Sequence, residues 1–117
     1  MHELAICRAL LERVEHHVHA LASESPVARV RALRLEIGCL ANIEIDALEF
    51  CFGAVARGTC AEGATLEIRR SPGRAWCTEC AAEIPVESHL DPCPDCGSGM
   101  LVPCGGDQML LKGMEVL

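Results

Sequence analysis

The sequence has 117 residues, which suits one main domain with at most a small appended module. Half of its residues are hydrophobic and 23% are charged, a composition that excludes an intrinsically disordered chain. The formal net charge of −7 argues against DNA or RNA as the main partner, because phosphate backbones attract positively charged surfaces.

The N-terminal segment predicts no export and no membrane insertion. Arg8 and Glu12 interrupt it before the apolar core of a signal peptide can form, and no run approaches the roughly 18 apolar residues of a membrane span. Nine cysteines without a secretory signal favour metal or redox chemistry in a reducing compartment over a disulfide framework. We therefore expect a cytoplasmic protein.

A helix of about twenty residues is predicted at the start of the chain. Apolar residues recur there at steps of three and four and form one stripe: Leu4, Cys7, Leu11, Val14, Val18 and Leu21. After a stop at 23–26, Leu33, Leu35 and Ile37 alternate with charged residues and predict a half-buried strand that ends at Gly38.

A second helix is predicted after Asn42, whose side chain is suited to cap it. Its expected buried residues lie at helical spacing: Ile45, Leu48, Phe52 and Val55. Gly58 is a plausible stop, Leu66 and Ile68 predict a short second strand, and the apolar run 109–117 predicts a last one.

These elements predict an α+β fold, in which a small three-stranded sheet packs with two helices and a zinc-ribbon-like module is inserted. The pattern changes to cysteine pairs, prolines and glycines between Arg74 and Cys104. We therefore expect one α/β domain formed by 1–72 and 105–117, and a cysteine-rich metal-binding module at 73–104.

Two Cys-x-x-Cys pairs predict a structural zinc site: Cys77 with Cys80, and Cys93 with Cys96. Zn²⁺ favours four tetrahedral soft ligands, and each pair presents two sulfur atoms from one tight loop. Twelve residues separate Cys80 from Cys93, which is enough for a hairpin between the two loops.

Two other interpretations of the cysteine pairs are weaker. A thiol–disulfide motif usually opens a helix, whereas Cys93 lies among prolines with no helical pattern after it. The evenly doubled pairs also differ from the spacings of iron–sulfur ligands. Of the remaining cysteines, Cys7 and Cys51 are expected to pack in the core, while Cys39, Cys60 and Cys104 lie in loops or at element ends.

His2 places an imidazole, a backbone amide and the terminal amine of Met1 within one short segment. Such nitrogen donors suit square-planar Ni(II) or Cu(II), and affinity alone favours copper. A histidine in this position is more often only solvated. The residues themselves therefore predict a kind of site and leave its metal open.

Two other groups of basic residues have ordinary explanations. Arg29, Arg31 and Arg34 are expected on the wet face and end of a strand rather than at a phosphate site. The histidines of the first helix, His16, His17 and His19, are expected on its solvated face, about 20 Å or more from His2.

Several features in the same order resemble the HypA/HybF family of hydrogenase maturation proteins: Met1-His2-Glu3, Ile37-Gly38 followed by Glu44, Leu48-Glu49-Phe50, Glu62-Gly63-Ala64 and the two cysteine pairs. The resemblance covers essentially the whole chain. It implies a nickel metallochaperone that helps to insert Ni²⁺ into [NiFe]-hydrogenase. It further implies two partners, the GTPase HypB and the hydrogenase large subunit.

The resemblance also implies roles for individual residues. His2 would be the essential nickel ligand, with Met1, the adjacent backbone amides and Glu3 as further parts of that site and Glu44 as an acidic side chain near it. The four paired cysteines would hold Zn²⁺ as a structural ion.

The chain shows no nucleophile with a base, no phosphate-binding loop and no paired catalytic carboxylates, so we expect no enzyme. The alternative function is a zinc-ribbon adaptor that binds nucleic acid or a transcription complex, against which the negative net charge argues. Whether the protein is a monomer or a dimer is left open.

Overall fold

The structure, a computed structural model, describes residues 2–22 and 29–117, with the backbone alone for residues 21 and 22. In chain order the elements are α1 (Glu3–Ala22), β1 (Val30–Gly38), α2 (Ile45–Val55), β2 (Thr65–Ser71), β3 (Gly73–Cys77), β4 (Ala82–Val86), β5 (Leu101–Gly105) and β6 (Met109–Val116). They form two three-stranded sheets, with the strand orders β2-β1-β6 and β4-β3-β5. The predicted α+β class, with two helices and a three-stranded sheet, is confirmed.

The chain forms two compact units. The first comprises Met1–Leu35, Ile43–Glu67 and Leu111–Leu117, and the second comprises Glu36–Asn42 and Ile68–Leu110. The first unit therefore holds both helices, and the second holds the whole β4-β3-β5 sheet. No helix in the described part of the chain has the length and hydrophobicity needed to cross a membrane.

The core of the first unit follows from the predicted stripe of α1. Four of its members, Cys7, Leu11, Val14 and Val18, are buried, and the side chain of Leu21 lies outside the described residues. Leu4 is 47% exposed, because it lies in the first turn, at the N-terminal end of the helix. The stripe therefore buries α1 from its second turn onward.

The two helices run parallel with their N-termini together. The Cys7 thiol donates a hydrogen bond to the carbonyl oxygen of Leu48, 3.3 Å away, and one turn earlier the Glu44 N–H donates to the Glu3 carboxylate, also at 3.3 Å. Both pairs are 41 residues apart in the chain, so the contacts advance along both helices in the same direction. The positive ends of both helix dipoles therefore lie beside His2.

The predicted cap of α2 is wrong. Asn42 adopts a left-handed conformation with φ of 56°, and the N-cap of α2 is Glu44, which makes no side-chain cap hydrogen bond. A capping box would need Glu or Gln at the third helical position, and Ala47 stands there. The Glu3 carboxylate of α1 accepts the Glu44 N–H instead.

The second unit contains a β-hairpin to which β5 adds a third strand. β3 pairs antiparallel with β4, with Ala75 opposite Ile84, and on its other edge it pairs antiparallel with β5, with Trp76 opposite Val102. The small core of this unit includes two of the paired cysteines: Leu40, Ala75, Cys77, Ile84, Val86 and Cys93. Its packing therefore depends on residues that also belong to the cysteine cluster.

Two glycines permit a close backbone approach within the second unit. A Cβ on Gly38 would lie 1.9 Å from the carbonyl oxygen of Gly106, and Gly106 has a φ of 82°. The Leu40 N–H donates to that same carbonyl oxygen at 2.7 Å. Gly38 thus ends the predicted strand and also makes room for the chain that returns to β6.

Candidate metal centres

The four paired cysteines converge on one point. The sulfur atoms of Cys77, Cys80, Cys93 and Cys96 all lie within 4.8 Å of one another. The Cys77 and Cys96 sulfurs are 3.7 Å apart, and those of Cys80 and Cys93 are 3.9 Å apart. The cluster thus joins each cysteine of the first pair to one of the second.

These separations fit a tetrahedral metal ion. A Zn–S distance of about 2.3 Å in tetrahedral geometry places neighbouring sulfur atoms about 3.8 Å apart. The observed separations lie on either side of that value. Four thiolates also complete the coordination of a structural zinc site and leave no open position for a substrate.

The first cysteine pair belongs to the turn of the β3–β4 hairpin. Cys77 is the last residue of β3 and is fully buried, whereas Cys80 is exposed in the turn. The Cys80 N–H lies 3.4 Å from the Cys77 sulfur and donates a hydrogen bond to it. Such a donor stabilises negative charge on the sulfur.

The second cysteine pair lies in the loop between β4 and β5. The Gly97 N–H donates to the carbonyl oxygen of Cys93 at 2.8 Å, and the Cys93 N–H donates to that of Ser98 at 2.9 Å. In both pairs the first cysteine is buried and the second is exposed: Cys93 and Cys96 here, Cys77 and Cys80 in the first pair. The expected hairpin between the two pairs is instead one strand, β4, followed by a loop.

The residues that follow the two pairs share one backbone conformation. Ala81 has a φ of 51° and Gly97 a φ of 75°. The left-handed conformation turns the chain sharply after the second sulfur of each pair, and glycine adopts it without strain. The left-handed conformation of Ala81 could not be predicted from the sequence, because alanine gives no signal for it.

Thiol acidity within the cluster is uneven. The backbone N–H groups of Cys96 and Asp95 lower the pKa of Cys93 to about 7. Hydrogen bonds with the thiols of Cys96 and Cys77 raise the pKa of Cys80 instead. Four adjacent sulfurs resist carrying four negative charges, and a bound dication supplies the compensation.

His2 lies just before α1 and is exposed. Its carbonyl oxygen accepts the first hydrogen bond of the helix, from the Ile6 N–H at 3.1 Å. The N–H groups at the beginning of a helix have no partner within the helix, so those of His2 and Glu3 lie outside the helical ladder. Met1, the other predicted nickel-binding residue at this end, lies outside the described residues.

The structure brings Glu3 and Glu44 together through a side chain and a backbone group. The Glu3 carboxylate accepts a hydrogen bond from its own N–H and from that of Glu44, and these bonds lower its pKa. The Glu44 side chain is exposed. The sequence pointed to both residues through the family resemblance and gave no sign of this contact.

The remaining metal-binding side chains stay dispersed. In residues 2–22 and 29–117 the cysteine cluster is the one group of three or more potential ligands with converging donor atoms. His16, His17 and His19 are exposed on α1, as expected. Cys7 is fully buried and its burial raises its pKa to about 11, which confirms a packing role, whereas Cys51 is partly buried.

The two helices, the second sheet and the four-cysteine cluster together define a small α+β metal-binding protein. Residues 1–116 match a family model described as "Hydrogenase/urease nickel incorporation, metallochaperone, hypA". The chain therefore belongs to the HypA family of non-catalytic metallochaperones for hydrogenase nickel insertion. The family that the sequence motifs resemble is confirmed.

Individual relatives agree over their full lengths. The chain is 48% identical over 116 residues to the hydrogenase maturation factor HypA of Cereibacter sphaeroides strain KD131, with 99% of each chain covered. It is 41% identical to that of Beijerinckia indica, with 100% of each covered. The solution structure of the Ni metallochaperone HypA from Helicobacter pylori has a TM-score of 0.62 at 18% identity, covers 100% of this chain and 98% of its own, and supports the fold.

Proposed function

We propose that the chain carries Ni(II) at its N-terminus, bound by the Met1 amine, the adjacent backbone amides and the His2 imidazole. Glu3 and Glu44 complete the surroundings of the ion. The position of His2 directly before α1 is the observation that carries this proposal, since amide nitrogens there have no helical hydrogen bond to give up. Nitrogen donors of this kind suit square-planar Ni(II).

Nickel titration of the zinc-loaded protein with its natural N-terminus tests this site. We expect His2→Ala to lose the nickel complex while its zinc content stays unchanged. His19→Ala is the matched control, because His19 is an exposed histidine on the same helix and lies far from the N-terminus. Equal nickel affinity in the His2→Ala variant and the wild type would show that the proposed site is wrong.

A short N-terminal extension separates the terminal amine from the imidazole. Adding Gly-Ser before Met1 moves the amine away from His2 by two residues, and we expect nickel affinity to fall as it does in His2→Ala. If the extended protein binds nickel as tightly as the wild type, the terminal amine is not a nickel ligand.

The four-cysteine cluster is proposed to hold zinc for structure rather than for transport. Its sulfur separations match tetrahedral coordination, and two of its members are buried in the core of the second unit. His2, in contrast, is exposed, which suits a ligand of a cargo ion that must be released. Metal analysis after chelation should show that nickel leaves well before zinc.

Delivery is proposed to involve the GTPase HypB and the hydrogenase large subunit in the cytoplasm, where a reducing environment keeps the nine cysteines as thiols. All nine lie in the described part of the chain and are free of disulfides. Family membership favours this function over the nucleic-acid adaptor. Affinity chromatography with purified HypB checks the first partner, and a protein that binds nickel but not HypB would contradict it.

A further inference from the structure

A cavity in the first unit is lined by basic side chains. Arg13 and His17 lie one turn apart on α1 and border it on one side, and Leu111–Met114 of β6 border it on the other. We call this space of about 250 Å³ the basic cavity. Its basic residues are Arg13, His17 and Lys112, the single lysine of the chain.

The cations of the basic cavity have no anionic partner among the described residues. Neither Arg13 nor Lys112 forms an ion pair or a side-chain hydrogen bond within residues 2–22 and 29–117. Elsewhere, Arg31 pairs with Glu115 at 3.5 Å, and Arg74 pairs with Glu83. Arg13 and Lys112 thus place two unpaired cations at one cavity of a chain whose net charge is −7.

No acidic side chain is among the residues that line the basic cavity. At about 100° per residue, Glu12 and Glu15 lie at least about 100° around α1 from both Arg13 and His17. On β6, the Glu115 carboxylate is engaged by Arg31. The basic cavity is thus lined by two cations and by no acidic side chain, which favours an anion as its ligand.

Gly113 adds a further cation beside the cavity. A Cβ at this position would lie 3.2 Å from one guanidinium nitrogen of Arg34, so the missing side chain leaves room for that group. Glycine weakens a strand interior and often marks a close approach by another group. Here it lets Arg34 lie next to the segment that borders the basic cavity.

We propose that the basic cavity binds the phosphate group of a small molecule. A guanidinium and an ammonium supply charge-assisted donors, and an imidazole can add a further N–H; together they suit a multiply charged oxyanion better than a single carboxylate. The space lies below the range of about 300–1,000 Å³ that drug-sized ligands occupy, which favours a small anion. This site is separate from nickel binding and zinc binding.

The test follows the backbone amides of His17 and Gly113 by NMR in the full zinc-loaded chain while inorganic phosphate is added at constant ionic strength. We expect saturable shifts at both residues. Acetate at the same ionic strength should cause much smaller shifts. The absence of saturation with phosphate, or equal binding of acetate, would overturn the proposal.

Three variants assign the site to its residues. Lys112→Gln and Arg13→Gln should each weaken phosphate binding by about tenfold or more, the loss expected for one charge-assisted hydrogen bond. Arg8→Gln is the matched control, because Arg8 is exposed on the same helix about 140° from Arg13. Arg8→Gln should bind phosphate like the wild type. If Arg8→Gln weakens phosphate binding as much as Lys112→Gln and Arg13→Gln do, the binding is general ionic attraction and the proposed site is wrong.

Discussion

Ala81 and Gly97 occupy equivalent positions, each directly after the second cysteine of a metal-binding pair. Both have a left-handed backbone, with φ of 51° and 75°. An L-residue with a side chain pays about 1–2 kcal/mol for this conformation, and glycine does not. The first cysteine pair is therefore held in its turn by an alanine under backbone strain.

Ala81→Gly should stabilise the zinc-bound second unit by about 1 kcal/mol, because it removes this strain. In a chelator competition, the concentration needed to remove half of the zinc should rise by about fivefold, since metal binding and folding of such a unit are linked. An unchanged or lower midpoint would contradict the prediction.

Gly97→Ala provides the reverse test. A Cβ at Gly97 would meet no atom within 4 Å, so a loss of stability there reports backbone strain and not a clash. We expect about 1 kcal/mol of destabilisation and an earlier loss of zinc in the same competition.

Cys7 predicts a specific dependence of stability on alkaline pH. Burial raises the pKa of this thiol from its ordinary value of 9.0 to about 11, so ionisation favours the unfolded chain. The contribution is complete below pH 9 and is lost as the pH rises toward about 11. On the order of 2 kcal/mol should disappear in that window.

Urea unfolding of the wild type and of Cys7→Ser at pH 8 and pH 11 measures this contribution. The serine hydroxyl can still donate to the Leu48 carbonyl, but it does not ionise in this range. Cys7→Ser should therefore lose less stability with rising pH, and identical pH dependence in the two proteins would refute the assignment.

At the scale of elements, the parallel pairing of α1 and α2 depends in part on Glu3. Its carboxylate accepts the N–H of Glu44, the N-cap of α2, at 3.3 Å. Within a capping box this bond comes from the third residue of the same helix, and here a neighbouring helix supplies it. The first residue of α1 thus satisfies a donor at the beginning of α2.

Glu3→Ala should speed hydrogen exchange of the Glu44 amide by several fold, because its acceptor is lost. Glu3→Gln keeps an acceptor oxygen and should have a smaller effect. Glu49→Ala, at an exposed position of α2, is the control and should leave this amide unchanged. Unchanged exchange in Glu3→Ala would rule out the proposed cap.

The same contact should weaken in acid. Hydrogen bonds from the N–H groups of Glu3 and Glu44 lower the pKa of the Glu3 carboxyl, so its contribution is present above its ordinary pKa. The contribution is lost as the pH falls through the lowered value. In strong acid, hydrogen exchange of the Glu44 amide should therefore be equally fast, relative to an unprotected amide, in the wild type and in Glu3→Ala.

At the scale of the whole molecule, zinc and the helices support different parts of the chain. The core of the second unit contains Cys77 and Cys93, so its packing and its metal coordination share residues. The first unit has its own core, including Val14, Leu33 and Phe52. Loss of zinc should therefore act unevenly along the chain.

Chelation of zinc should broaden or shift the NMR resonances of β3, β4 and β5 while those of α1 and α2 persist. This experiment also tests the predicted division into a domain of 1–72 with 105–117 and a module of 73–104. If the module ends where predicted, the affected residues outside 73–104 should be only those that contact its core or continue β5, such as Leu40 and Gly105. Cooperative loss of the helices together with the second sheet would contradict both predictions.

Periodicity was sufficient to predict α1, β1 and β2. The three- and four-residue steps of α1 and the alternation in β1 and β2 correspond to observed helices and strands, because burial on one face imposes those periods. The strands β4 and β5 gave no comparable signal. They are short, and Pro85 and Pro103 interrupt their sequence pattern.

The sequence by itself determined the class of the fold, the chemistry of the cysteine cluster and the family. Ligand type and spacing are local properties of the chain, as is the helical period. Only the tertiary structure decided that Glu3 caps α2, that Ala81 is strained and that Arg13 and Lys112 border one cavity. Those facts depend on contacts between residues far apart in the chain, which local pattern does not specify.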